Sequence, residues 1–373
     1  HDFLGNEFGL FDMKKLEEKI NQTYENSGAL DTSWFACLFS IFAVGEQFMG
    51  NDPATSLVPG KRFFLTALRY LNKPVEEPTL NTLRALLLVA IYSKGLNRIY
   101  SVFTYMGNAV STAIILGMHR DVCNLGLPKQ LQDERKKLWW LTYFLDVIWS
   151  SRIGLPPHLN SDYIDIGFPD ATLATEGFSP VYLIANTKMA VCIAAVMKEV
   201  YVTSGKDNFM LNIIRSLKQL ESFFDALDPE IKDLSSSSPK FNRSKALIHL
   251  RYNQVIIVTS RPLYLSLLRT REKCNGDIGY AKQKCVQAAV DNVNILNQLW
   301  ENGCFCKSGF LEAQCCFSSL LMLVMETLDG NSFPQLATAL SLNAIMCENN
   351  NITAVDNHSR LKQLDCFLFK AER

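Results

Sequence analysis

The chain has no surplus of either charge: 37 lysines and arginines stand against 37 aspartates and glutamates. A surface that held nucleic acid by itself would carry a basic excess or stripe, so direct DNA binding by this part is disfavoured. Histidine is scarce, and His1, His119, His158, His249 and His358 are isolated from one another in the sequence. There is no Gly-rich phosphate loop, no Gly-X-Ser-X-Gly turn, no His-Glu-X-X-His helix and no Cys-X-X-Cys pair. The usual signatures of phosphoryl transfer, serine hydrolysis and zinc chemistry are therefore missing, and the expectation is a non-catalytic chain with no metal or cofactor of its own. No uninterrupted apolar run reaches the roughly 20 residues that cross a bilayer. The best one spans 34–45 with Ser40 inside it, so no membrane span is expected. Strand signals are lacking too: there are no alternating apolar and polar stretches between hairpin turns, no βαβ rhythm and no fixed repeat.

What is present is helix after helix. Residues 10–24 are amphipathic, Asp31-Thr32-Ser33 caps a second apolar helix, and 63–71 pairs with 79–92 across a short linker. Further helices follow at 100–116, 182–201, 209–227, 241–261, 281–300, 310–328, 333–347 and from 352 onward. Pro262 predicts a kink or break near Ser260. The fold class is all-α, an irregular multi-helix bundle of packed helical hairpins. It is read as a single domain over 1–373, with an N-terminal half to 170, a C-terminal half over 171–373 and a flexible loop at 228–240 around four consecutive serines.

Eleven cysteines lie scattered, mostly in apolar runs such as Ala36-Cys37-Leu38, as core thiols of a reducing compartment do. Cys304 and Cys306 differ, because their surroundings read as a loop that water reaches, which makes them candidates for a thiol sensor. Cys315 and Cys316 follow within the next ten residues, but neighbours on a helix diverge by about 100°, against a tetrahedral metal site. The chain begins with His1 and stops in a charged run, so the expectation is a fragment of a longer protein.

The densest stretch runs from Arg135 to Asp170. Arg135, Trp139, Tyr143, Asp146 and Ser150 fall on one helical stripe, followed by the helix-ending Gly154, Pro156 and Pro157. Arg135 and Asp146 are about three turns apart and cannot meet along one helix, so each must find a partner elsewhere. The aromatics Trp139, Trp140, Phe144 and Trp149 need cover from two sides. Asp162, Asp165 and Asp170 beyond the elbow read as caps of short turns before they read as a cation or acid/base site.

These residues also carry a resemblance. Arg135…Leu138-Trp139-Trp140…Tyr143…Asp146…Ser150…Gly154-Leu155-Pro156, with Asp162…Asp165…Pro169, resembles the signature of the middle regulatory domain of fungal zinc binuclear cluster transcription factors. Leu116-Gly117-Met118-His119-Arg120-Asp121 and the later Leu250-Arg251-Tyr252-Asn253…Ser260-Arg261-Pro262 are similar to two further segments of that family, in the same order. The chain departs from the pattern at Leu155, where the family usually has arginine, and at Met118 in place of leucine.

The resemblance implies a nuclear, non-catalytic helical domain that restrains or releases transcriptional activation, often on binding a metabolite or xenobiotic. It implies a coactivator or corepressor as partner and leaves a homodimer open. It further implies DNA contact only through a zinc-cluster segment absent from this stretch, so that zinc is expected only there. A ligand-free dimerisation or scaffold domain of a DNA-bound complex is the alternative. The candidate ligand or regulatory framework is His119, Arg120, Arg135, Trp139, Tyr143, Asp146 and Arg261. Its blander reading is a buried arginine fork on a carboxylate covered by indoles.

Overall fold

The computed structural model describes residues 9–25, 31–49, 58–71, 77–121, 126–175, 178–202, 209–234, 242–270 and 276–371, with backbone alone for 201–202, 265–270 and 364–371. Among these residues fourteen α-helices follow one another, and the only β pairing is an isolated bridge between Thr175 and Phe178. The chain forms two compact units, His1–Lys94 with Arg98–Ala195, and Gly95–Asn97 with Val196–Arg373.

The first unit holds α1 (Met13–Glu25), α2 (Thr32–Met49), α3 (Lys61–Leu71), α4 (Leu80–Gly95), α5 (Ile99–Ile115), α6 (Lys129–Arg152) and nearly all of α7 (Val181–Met197). Asp31 starts α2, its carboxylate accepting the Ser33 N–H at 3.0 Å. Helix α3 lies along α2, and Phe39 stacks on Phe63 and Tyr70 at 6.3 and 5.9 Å. Gly60 permits that approach: its φ is +73°, and a Cβ there would lie 2.3 Å from the Ala43 carbonyl oxygen. Of the pairing expected between 63–71 and 79–92 the structure shows Phe64 stacked on Tyr92 at 4.6 Å. Helix α4 is apolar on every side and is buried accordingly, with Leu83, Leu87 and Leu88 fully enclosed. Helix α6 packs against α5 and is buried all round from Leu138 to Ile148.

The second unit holds α8 (Phe209–Asp225), α9 (Pro229–Lys232), α10 (Arg243–Thr270), α11 (Asp277–Glu301), α12 (Phe310–Leu328), α13 (Gln335–Glu348) and α14 (Ile352–Ala371). From α10 onward each helix packs on the next, the hairpin stacking that the short connections implied.

Two expectations are corrected here, and a third is set beside the structure. Residues 229–232 of the expected flexible loop form a helical turn: Asp228 caps it by accepting the Glu230 N–H at 2.8 Å, and the buried Ile231 carbonyl meets His249 Nε2 at 2.8 Å. The rest of that loop from 235 to 240 lies outside the described residues. Pro262 does not break α10, which runs through it. Finally, Val181–Val200 and Phe310–Leu328 are long and apolar enough to cross a membrane by length and composition. Uninterrupted runs missed them, because polar residues punctuate both. In α12 those residues are core pairs: Glu312 meets Arg243 at 2.5 Å and Glu326 meets Lys282 at 2.8 Å.

Candidate functional site at the α6 junction

Helix α6 supplies the floor. Trp139 is 1% exposed and Trp140 nearly as buried, so the double tryptophan is covered on both faces, as its bulk requires. The Trp140 indole donates to the Gly167 carbonyl at 3.0 Å and stacks on Phe168 at 4.9 Å, which fixes the return of the chain after the elbow.

The elbow is anchored by a pair the sequence did not reveal. Asp146 is 1% exposed; one carboxylate oxygen accepts the His158 backbone N–H at 2.8 Å and the other faces His158 Nδ1 at 2.6 Å. Ser150 Oγ, one turn on, donates to the same carboxylate at 3.4 Å. The His158 imidazole then rests on Phe103 of α5, ring centres 4.1 Å apart. The hydroxyl of Tyr143 is pushed up to about 12, first by burial and then by the neighbouring Asp146 charge. Gly154, with φ +69°, makes the turn out of α6, and Leu155 follows it partly exposed.

The segment 116–121 closes over the same helix. The His119 carbonyl accepts two backbone N–H groups, Asp165 at 3.1 Å and Ile166 at 3.3 Å. Asp165 returns the link by accepting the Asp121 N–H at 2.8 Å and pairing with Arg120 at 3.2 Å. Met118 is fully enclosed between these connections. The three segments singled out in the first unit, 116–121, 135–150 and 158–170, are thus brought together.

Arg135 and Asp146 do find partners on other elements, though neither partner is the expected one. The Arg135 guanidinium donates through one terminal nitrogen to the Leu116 carbonyl, and among the described residues no carboxylate pairs with it. The fork-on-carboxylate reading is corrected by this contact: the end of α5 presents bare carbonyls where an acid was expected. Arg261 departs further. It is exposed on α10 of the second unit, where the buried stripe runs through Ile256, Ile257, Leu263 and Tyr264.

Three nitrogens at the junction have no hydrogen-bond partner although buried: Arg135 Nε, Trp139 Nε1 and His119 Nδ1. Arg135 and Trp139 are one turn apart on one face of α6, and the His119 ring lies 5.8 Å from the Trp139 ring. Burial, with Arg120 adding to it, holds His119 below the ordinary histidine range, and burial lowers Arg135 as well. Buried polar groups ordinarily have partners; these three are among fifteen buried side-chain atoms of the described residues without one, and they are the three at this junction.

The acidic residues beyond the elbow act as turn ligatures. Asp170 caps the short turn 171–173 by accepting the Thr172 N–H at 2.8 Å, while Asn160, not Asp162, caps the turn 161–163 by accepting the Asp162 N–H. In the second unit Cys304 and Cys306 sit half-buried between α11 and α12, whereas Cys315 and Cys316 are enclosed and point apart, toward the Leu250 and Ala339 carbonyls. An open groove of about 480 Å³ runs along α8 past Leu211, Ile214, Arg215 and Lys218, and its named lining comes from that one helix.

Residues 5–255 match the fungal specific transcription factor domain. The chain belongs to that family. A transcriptional regulatory protein of Schizosaccharomyces pombe is 26% identical over 334 residues, covering 86% of this chain and 42% of its own length. Activator of stress genes 1 of Saccharomyces cerevisiae is 25% identical, covering 71% of this chain and 30% of its own. The thiamine repressible genes regulatory protein thi1 of S. pombe is 22% identical, covering 81% and 41%. These relatives are named as regulators of transcription, not as enzymes, and the fungal transcription factor domain described here spans less than half of each. No solved structure gives a significant match. The matched residues include all three segments of the junction.

Proposed function

We propose that this fungal transcription factor domain is a sensor whose α6 junction takes a small-molecule effector and passes the event on as a change in packing. The observation that carries the reading is the trio of unpartnered buried nitrogens, Arg135 Nε, Trp139 Nε1 and His119 Nδ1. An effector that meets them binds one arrangement of 116–121 against α6 better than another, and only such a difference in affinity shifts a conformational equilibrium. The shift reaches the elbow because the His119 carbonyl holds Asp165 and Ile166. A coactivator or corepressor reads the outcome in the nucleus, and DNA is reached through a zinc-cluster segment outside this stretch.

The test is a reporter assay in the full-length protein carrying Arg135→Gln, at matched protein level. The reading expects basal transcription to persist and the response to inducer to be lost. A full response in that variant counts against it.

A further inference from the structure

We propose that the α6 junction recognises a carboxylate, so that the effector is a small organic acid carrying one such group. This rests on the sensor reading above and adds the chemistry of the ligand to it.

An indole N–H and a guanidinium Nε–H only donate. Nδ1 of a neutral imidazole donates in one of its two tautomers, and burial shifts the His119 ring toward that neutral form. The trio therefore offers two obligatory donors and a third by choice of tautomer, with no unpartnered oxygen among them. A water molecule suits such a place poorly, because it brings two hydrogens that themselves need acceptors. A carboxylate brings about four lone-pair sites and no hydrogen.

Charge points the same way. Arg135 is a part-buried cation whose one partner is a neutral backbone carbonyl. A guanidinium stays charged in proteins, and a charge held away from water without a counter-ion is costly. Two neighbouring cations are already matched: Arg120 pairs with Asp165 at 3.2 Å and Lys136 with Asp170 at 3.0 Å. The acid beside Arg135 in sequence, Glu134, is taken by Arg84. One uncompensated positive charge fits a monoanion; a phosphate dianion would leave a negative charge unbalanced. Arg135 and Trp139 lie one turn apart on one face of α6, and the His119 ring centre is 5.8 Å from that of Trp139, so the three donors belong to one neighbourhood.

The test reads the Trp139 indole directly. The 373-residue chain, labelled with nitrogen-15 on its tryptophans, is titrated with sodium acetate, acetamide and sodium chloride, and Trp139→Phe assigns the resonance. Acetate should move the Trp139 indole N–H signal saturably, while acetamide and chloride at equal concentration should not. Arg135→Gln, folded as judged by its melting temperature, should weaken acetate binding about tenfold or more, as for a lost charged hydrogen bond. Acetamide moving the signal as acetate does would overturn the carboxylate and leave the sensor reading standing. No movement with either organic probe would count against both.

Discussion

Asp146 holds His158 twice, by its backbone N–H at 2.8 Å and by its ring Nδ1 at 2.6 Å, with the carboxylate only 1% exposed. This one contact turns the end of α6 back upon α5 and so sets where the whole elbow lies. Replacing Asp146 by alanine leaves the His158 backbone N–H and ring nitrogen, both part-buried, without their acceptor. The expected cost is about 2–4 kcal/mol of stability, measured by urea unfolding. A loss under about 0.5 kcal/mol, the level of an ordinary surface change, would mean that the pair is incidental.

Gly107 gives a second handle on the same contact. A Cβ at that position would lie 2.8 Å from His158 Nε2, and the ring cannot step aside because Asp146 holds it. Alanine ordinarily favours a helix over glycine by about 1 kcal/mol. Here Gly107→Ala is expected to destabilise by about 1–2 kcal/mol instead, since overpacking outweighs propensity. The double change with His158→Ala should recover the alanine benefit relative to His158→Ala alone. A destabilising Gly107→Ala in that background would contradict the steric account.

Stability should fall on mild acidification. Burial holds both His119 and His249 below the ordinary histidine value of 6.5. Above that value both rings are neutral folded and unfolded, and their contribution is complete. Below it the unfolded chain takes up protons that the folded chain refuses, so stability declines as pH drops from about 6.5 toward the folded-state values. The melting temperature followed from pH 7.5 to 5.5 should decrease, and His249→Gln should flatten part of the slope. An unchanged melting temperature across that range would disprove it.

Thiol accessibility separates the cysteines. Cys304 and Cys306 are half-buried in the connection before α12, while Cys37, Cys315 and Cys316 are enclosed, and burial pushes Cys37 up to about 12. Brief treatment of the native chain with iodoacetamide, followed by peptide mass spectrometry, should label Cys304 or Cys306 well before these three. Labelling of Cys315 or Cys316 first would contradict the packing of α12.

Much of the architecture was legible because helices advertise themselves. The stripe through Arg135, Trp139 and Asp146, the all-apolar run of α4 and the Gly154 turn follow from local spacing and backbone sterics. That Arg135 and Asp146 needed partners elsewhere was also readable, because the rise of one helix keeps them apart. The partners were not readable. The Leu116 carbonyl is backbone and leaves no trace in residue type, and His158 reaches Asp146 only because a proline turn sends the chain back. The buried reading of Arg261 gives way to an exposed side chain for a related reason: a motif names the residue but not the side of the helix that faces water. Asp228 followed by Pro229 is a local signal for the turn at 229–232, even beside the serine run.

The most direct measurement is a thermal-shift screen of organic acids run in parallel on the wild-type chain and on Arg135→Gln. A compound at 100 times its dissociation constant should add about 2.7 kcal/mol to the wild type. The account predicts at least one that raises the wild-type melting temperature and leaves that of Arg135→Gln where it was. Compounds that stabilise both proteins equally would place the binding elsewhere and contradict it.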